Sequence, residues 1–155
     1  MLFDSPRGLQ DWGRRDTGKD VTGAKAADGI KELMLRHRPD VVVICDPDDR
    51  RGPGAMRVKR IHKAIAKPVS DVGAKLAIVS RRDVRIAFAQ FGAINKQDIA
   101  DAIGRRIEAL SIRVPPPRKK WEGEDKRMGL FDAASRALTY YQMEEQAPEE
   151  HDART

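Results

Sequence analysis

Two unbroken apolar runs dominate the hydrophobic pattern of the chain. Residues 40–45 read DVVVIC and residues 74–80 read AKLAIVS, and both runs are rich in β-branched or other apolar side chains. Such runs are typical of strands that are covered on both faces in a parallel sheet. A shorter strand is predicted over residues 9–15, LQDWGRR. The pattern therefore predicts three strands, with the first long run in a central position.

Apolar residues spaced by three or four positions predict helices between and after these strands. Asn95 is a favourable N-cap, and Asp98 follows in the first turn of the helix it begins. The segment 114–127, VPPPRKKWEGEDKR, is predicted to be extended. The other predicted helices cover residues 23–37, 55–67, 81–91 and 128–143.

The order of strands and helices predicts an α/β fold with an at least partly parallel sheet. Three strands are fewer than the roughly five that such sheets usually contain. The chain has 155 residues, 40% of them apolar, which suits one domain with a full hydrophobic core. The sequence therefore predicts one α/β domain with a thin sheet.

Several classes of protein are disfavoured by the composition. No apolar run approaches the roughly 20 residues that span a bilayer. The N-terminus, MLFDSPRGLQ, lacks the basic and apolar regions of a signal peptide. The single cysteine, Cys45, excludes a disulfide framework and a cysteine zinc site. A cytoplasmic protein without a membrane partner is the default expectation.

Positive charge is concentrated ahead of the C-terminal segment. The whole chain carries +6, and residues 144–155 hold five acids against one arginine, which leaves +10 on residues 1–143. We expect a domain over residues 1–143 and a disordered acidic tail over residues 144–155. A domain with this much positive charge attracts polyanions, of which nucleic acid is the leading candidate, although many basic proteins bind no nucleic acid.

Two interpretations of the aspartates that follow the first long run stay open. Sites in open α/β sheets form beyond the carboxyl ends of strands, where Asp46 lies with Asp48 and Asp49 close behind. Carboxylates from a strand end and a distant helix can together hold Mg²⁺, and such centres hydrolyse phosphodiesters. The alternative is that Asp46-Pro47 only forms a turn.

The last predicted helix supplies the second candidate acid. Asp132 shares one polar helix face with Ser135, Arg136 and Thr139, beside the apolar stripe. It is either a metal ligand or an acid that the positive end of the helix favours.

Cations for a nucleic-acid backbone come from two segments. The predicted helix 55–67 exposes Arg57, Arg60 and Lys63, and the extended segment carries Lys119, Lys120 and Trp121. Trp121 can stack on a base while the lysines contact phosphates. The alternative is a solvated charged surface with no ligand.

The segments VVVICD (41–46), EDKRMGLFDA (124–133) and FDAASRALTYY (131–141) together resemble the RuvC-like Holliday-junction resolvases of the ribonuclease H-like superfamily. The resemblance covers residues 9–142. It implies a mixed sheet of three antiparallel strands followed by two parallel strands, with interleaved helices. It also implies cleavage of structured or branched DNA with Mg²⁺ or Mn²⁺, and action as a homodimer.

By this resemblance, Asp46 matches the acid at the end of the family's fourth strand, which is usually a glutamate. Asp132 matches the first acid of a D-A-A-D motif, and Ser135 stands where the second aspartate often lies. Asp125 is a further candidate ligand that the motif does not assign.

The family's first strand, with its aspartate, has no counterpart in the chain. Residues 1–15 match the end of the second strand, a turn at Ser5-Pro6-Arg7-Gly8, and the third strand. The resemblance therefore implies an N-terminally incomplete ribonuclease H-like sheet. Two accounts are open: Met1 is not the true start, or the chain is a short version with an impaired metal site.

Three functions follow as hypotheses. The first is a Mg²⁺-dependent nuclease that acts on structured DNA, with Asp46 and Asp132 as ligands and with activity impaired by the missing aspartate. The second is a non-catalytic nucleic-acid-binding domain of the same fold. The third is a phage or plasmid interaction protein whose basic face binds a partner protein.

Overall fold

The computed structural model describes residues 1–148 and is a mixed α/β protein. The strands in this range are β1 (Leu2–Ser5), β2 (Gly8–Asp11), β3 (Val41–Cys45) and β4 (Lys75–Val79). The helices are α1 (Ala24–His37), α2 (Pro53–Asp71), α3 (Arg81–Ala89), α4 (Lys96–Arg106), α5 (Glu108–Ser111) and α6 (Met128–Gln146). A 3₁₀ turn, Pro47–Asp49, follows β3. None of the helices in residues 1–148 combines the length and apolar character needed to cross a membrane.

The two long apolar runs form a parallel pair of strands, as predicted. Val41 of β3 pairs with Lys75 of β4, and Cys45 pairs with Val79, so both strands end at the same edge. Parallel neighbours need a crossover connection, and α2 lies between them in the chain.

Helices cover both faces of this pair. On one face, Val42, Ile44 and Leu76 pack against a core that α1 and α2 build. On the other face, Val43 and Val79 join a larger core. That core takes its other large buried side chains from α3 to α6 and the residues between them: Val84, Phe88, Ile99, Ile103, Ile107, Leu110, Met128 and Phe131. The fold therefore has three layers, with α2 and α6 on opposite sides of β3 and β4.

The N-terminal residues form a separate hairpin. β1 and β2 pair antiparallel around a turn at Pro6 and Arg7, where the sequence predicts one. Phe3 and Leu9 pack against the larger core, but within residues 1–148 the hairpin is not hydrogen-bonded to β3. The mixed α/β class is thus confirmed, whereas the ribonuclease H-like arrangement stays a prediction.

The predicted central position of β3 is wrong for the described residues. β4 pairs with one edge of β3, and no strand of residues 1–148 pairs with its other edge. All five residues of β3 are consequently only half-buried. An apolar run alone cannot distinguish a central strand from one strand of a covered pair.

Helix boundaries follow the local signals with two differences. Asn95 caps α4 as predicted, because its side chain accepts the Asp98 N–H at 3.0 Å. The helix that Asn95 begins ends at Arg106, because Ile107 is extended and separates α4 from α5, although Ile107 is itself buried. α2 continues through Pro68 to Asp71, because Ile65 and Val69 are buried on its inner face.

The last helix buries a wider face than its sequence predicts. Leu130, Ala134 and Leu138 of the apolar stripe pack in or against the larger core, and Ser135 and Thr139 of the predicted polar face are buried as well. α6 packs on β3 and β4 through this face. The helix also extends to Gln146, beyond the predicted end at 143, and residues 149–155 of the predicted tail lie outside the described residues.

Thr139 gives a test of the burial of this face. Its Oγ1 is buried, and it has no hydrogen-bond partner among the described residues. Because a buried polar atom without a partner destabilises the fold, we expect Thr139→Val to raise the free energy of unfolding by about 1 kcal/mol. Thr139→Ser, which keeps the hydroxyl and loses the methyl group, should lower it. Urea unfolding measures both, and destabilisation by valine would contradict the burial of this face.

Candidate site at the carboxyl ends of the parallel strands

The parallel pair brings several charged residues to one edge of its sheet. The 3₁₀ turn follows β3, and Ser80 leads from β4 into α3. α6 crosses the same pair of strands. Because ligand sites in open α/β sheets lie beyond the carboxyl ends of the strands, this edge is the expected position of a ligand site. We call it the strand-end site; its charged members are Asp46, Asp49, Arg81, Arg85, Lys96, Asp132 and Arg136.

Asp46 lies at the end of β3, as predicted, but it forms the turn. Its Oδ1 accepts the Asp48 N–H at 2.8 Å and caps the 3₁₀ turn, with Pro47 at the first position of that turn. Asp48 is exposed, with its Oδ1 3.7 Å from Lys59 Nζ. The turn-forming interpretation of Asp46-Pro47 is therefore the one that the local hydrogen bonds support.

His62 lies next to this turn rather than on the basic side of α2. Burial lowers the pKa of His62, although a hydrogen bond with the Cys45 backbone and the charge of Asp46 act in the opposite direction.

Asp49, and not Asp46, makes the long-range contacts of this turn. Its Oδ2 accepts the Arg81 N–H at 2.8 Å and lies 3.7 Å from Arg136 Nη2. The Asp49 and Arg136 side chains are only 14% and 16% exposed. The sequence carries one signal of this contact, an arginine on the polar face of the last helix.

Arg136 ties three elements together at this edge. Its Nε donates to the Val79 carbonyl oxygen at 3.3 Å, at the end of β4. Its Nη1 donates to the Asp132 carbonyl oxygen at 3.1 Å, within α6. With the contact to Asp49, one guanidinium fixes the ends of both strands to α6.

Asp132 lies near a cation instead of a second carboxylate ligand. Its Oδ2 is 3.5 Å from Lys96 Nζ, which also contacts Glu124 at 3.1 Å. The neighbouring Ser135 hydroxyl donates to the Asp132 carbonyl oxygen at 2.9 Å, so it serves the helix backbone.

Asp125 is held by its own neighbour. The Arg127 guanidinium donates to it at 2.7 and 3.0 Å, and the Arg127 N–H donates at 2.8 Å. These hydrogen bonds lower the pKa of Asp125 to about 2. The Asp125 carboxylate is therefore ionised, and both of its oxygens are hydrogen-bonded to Arg127.

The three predicted ligands do not fit a shared metal ion in this arrangement. Asp46 accepts a backbone N–H, Asp125 is bound by Arg127, and Asp132 lies beside Lys96. Across residues 1–148, no three histidine, cysteine, aspartate or glutamate side chains lie close enough together to hold one metal ion. Binding of Mg²⁺ or Mn²⁺ stays a prediction.

Arg57, one of the predicted phosphate contacts, is engaged inside the fold. Its Nε donates to the Asp20 carbonyl oxygen at 2.8 Å, and its Nη2 lies 3.3 Å from Asp20 Oδ2. Burial opposes ionisation of Asp20, but N–H groups of Ala26 and Lys25 and the charge of Arg57 outweigh it and lower the pKa of this carboxyl. Arg57 therefore ties the loop before α1 to α2.

The remaining predicted cations are exposed but lie in different places. Arg60 and Lys63 are on α2, and within residues 1–148 they form no ion pair. Lys119 lies over Trp121, with Nζ 5.6 Å from the ring centroid, and Trp121 is 80% exposed. The segment with Lys119, Lys120 and Trp121 leads into α6, in the layer opposite α2. The structure therefore does not bring the two predicted groups together.

Two cations that the sequence did not single out complete the strand-end site. Arg81 and Arg85 lie on the first turns of α3, directly after β4, and both are exposed. Neither forms an ion pair with any carboxylate of the described range.

Comparisons of the chain with protein-family models, with curated proteins and with solved structures found no match.

The contact between Asp49 and Arg136 can be tested with a matched pair of variants. Asp49→Ala leaves the half-buried Arg136 guanidinium and the Arg81 N–H without their partner, so we expect it to lower the free energy of unfolding by about 1–3 kcal/mol. Asp48→Ala removes an exposed neighbour and should change it by less than about 0.5 kcal/mol. Equal effects in urea unfolding would show that Asp49 is an ordinary loop residue.

Proposed function

We propose that the chain is a nucleic-acid-binding domain that contacts phosphates at the strand-end site. One observation carries this proposal. Within the site, Asp49 lies beside Arg136 and Asp132 lies beside Lys96, while Asp46 caps the 3₁₀ turn. Arg81 and Arg85 form no ion pair with a carboxylate of residues 1–148. The site therefore offers positive charge to a ligand rather than a cluster of acids to a metal ion.

The overall charge supports a polyanion as the ligand. Residues 1–143 carry +10 of net charge. The phosphates of a nucleic acid hold a layer of condensed counterions. Protein cations that bind the phosphates release these counterions, so the binding affinity falls as the salt concentration rises. The exposed residues Lys119, Lys120 and Trp121 are proposed as further contacts in the same layer, and Arg60 and Lys63 as contacts of the opposite layer. A homodimer and a cytoplasmic location stay predictions.

The proposal predicts a defined effect of the two unmatched arginines. In a chelating buffer, we expect the wild type to bind a labelled single-stranded or branched oligonucleotide with an affinity that falls steeply with salt. The Arg81→Gln/Arg85→Gln variant should bind on the order of tenfold more weakly at about 0.1 M salt, with a slope of log affinity against log salt reduced by about 1.4. Fluorescence anisotropy measures both quantities.

The comparison variant is Arg60→Gln/Lys63→Gln, which removes the same two charges from the opposite layer. It should weaken binding less and change the salt slope less. An equal or larger loss in this variant would place the interface on α2. No binding of DNA or RNA by the wild type at low salt would overturn the proposal and favour a protein partner.

Metal-dependent cleavage is the second candidate, and one observation favours it: Asp46 does follow the carboxyl end of β3. With its carboxylates engaged as described, we expect this chain to cleave branched DNA little or not at all in Mg²⁺ or Mn²⁺. Gel analysis of labelled junctions tests this. Cleavage by the wild type that Asp46→Asn abolishes would establish the nuclease instead.

A further inference from the structure

The geometry points to a binding pocket for one nucleoside phosphate beside the strand-end site. A cavity of about 390 Å³ opens between α3, α4 and α6. Its volume lies within the roughly 300–1,000 Å³ range of small-molecule sites. This inference rests on the proposed function, because it assigns a nucleotide unit to the same edge of the protein.

The floor of the pocket is apolar and belongs to the core. Val84 of α3, Ile99 of α4, and Met128 and Phe131 of α6 line it, and all four belong to the larger core. Because these side chains are packed on their other sides, the floor does not have to reorganise to accept a ligand. A flat apolar body, such as a nucleobase, would be desolvated against it.

The rim of the pocket is cationic. Arg81, Arg85, Lys96 and Arg136 line it, and Asp132 is the carboxylate among the lining residues. Lys96 and Arg136 are shared with acids, which leaves Arg81 and Arg85 for an anion. Guanidinium groups bind phosphate through paired N–H donors, so these two arginines suit a phosphate group.

The combination of floor and rim selects the class of ligand. A free inorganic anion would leave the apolar floor uncovered, and an uncharged apolar molecule would leave two arginines without a partner. A nucleoside phosphate satisfies both, with its phosphate at Arg81 and Arg85 and its base on the floor. It can come from a free nucleotide or from an unstacked unit of a bound strand.

Ile94 marks the mouth of the pocket. It lines the cavity, yet its side chain is 83% exposed. Because it packs little against the core, it can be replaced without damage to the fold. A substitution of Ile94 therefore tests its role in ligand binding without a loss of core packing.

The test is a titration of the wild-type chain with a nucleoside 5′-monophosphate, the matching nucleoside, and inorganic phosphate, monitored by ¹⁵N–¹H NMR spectra. We expect the monophosphate to bind about tenfold more tightly than either fragment. Arg85→Gln should weaken the monophosphate about tenfold and leave the nucleoside unchanged. Ile94→Ser should weaken both.

The controls are Arg82→Gln, an exposed arginine of the same helix that does not line the pocket, and Ile112→Ser, an isoleucine 82% exposed elsewhere. Neither should change binding. Equal effects of Arg82→Gln and Arg85→Gln would overturn the proposed binding pocket. Binding of the monophosphate that is no tighter than binding of inorganic phosphate would also overturn it.

An oligonucleotide arm separates this inference from the proposed function. Oligonucleotide binding without any monophosphate binding overturns the pocket alone. Monophosphate binding without oligonucleotide binding supports the pocket for a free nucleotide and overturns the proposed function. If a single-stranded oligonucleotide displaces the monophosphate and a blunt duplex does not, the result supports an unstacked nucleotide of a bound strand as the ligand of the pocket.

Discussion

The contact on which the strand-end site depends is the guanidinium of Arg136. It donates to the backbone at the end of β4, lies beside Asp49 in the turn after β3, and donates to its own helix. Asp49 in turn accepts the first N–H of α3. Together with the larger core, this chain of contacts holds both strand ends, α3 and α6 relative to one another. Arg81, Arg85 and Asp132 are positioned as a consequence.

The same contacts determine the sign of the charge that the site presents. Asp49 and Asp132 each lie beside a cation, and Asp46 accepts a backbone N–H. The four cations of the strand-end site outnumber its three carboxylates by one. The arginines at the start of α3 are the cations of the site without a carboxylate partner in the described residues. They lie next to an apolar pocket whose floor belongs to the core. A site of this kind favours an anionic ligand with a flat apolar part, which is the chemistry of a nucleic-acid strand.

Much of the fold could be predicted because it depends on local signals. The apolar runs located β3 and β4, Asn95 located the start of α4, and the prolines located the extended segment before α6. The site was harder, because spacing in the sequence does not show which acid reaches across the fold: Asp46 was preferred, but Asp49 makes the contact. Periodicity likewise predicted too narrow an inner face for α6, since Ser135 and Thr139 are buried beside its apolar residues. Arg57 was counted as exposed because Asp20, its partner, lies 37 residues earlier in the chain.

A map of the contact surface tests the central claim most directly. Amide chemical shifts of the ¹⁵N-labelled chain would be followed during titration with a single-stranded oligonucleotide in a buffer that chelates divalent metals. If the strand-end site binds nucleic acid, the largest shifts will cluster at Arg81–Arg85, Ile94–Ile99 and Met128–Arg136, and they will not need metal. Shifts confined to α2, or shifts that appear at Asp46 and Asp132 only after Mg²⁺ is added, would contradict the account.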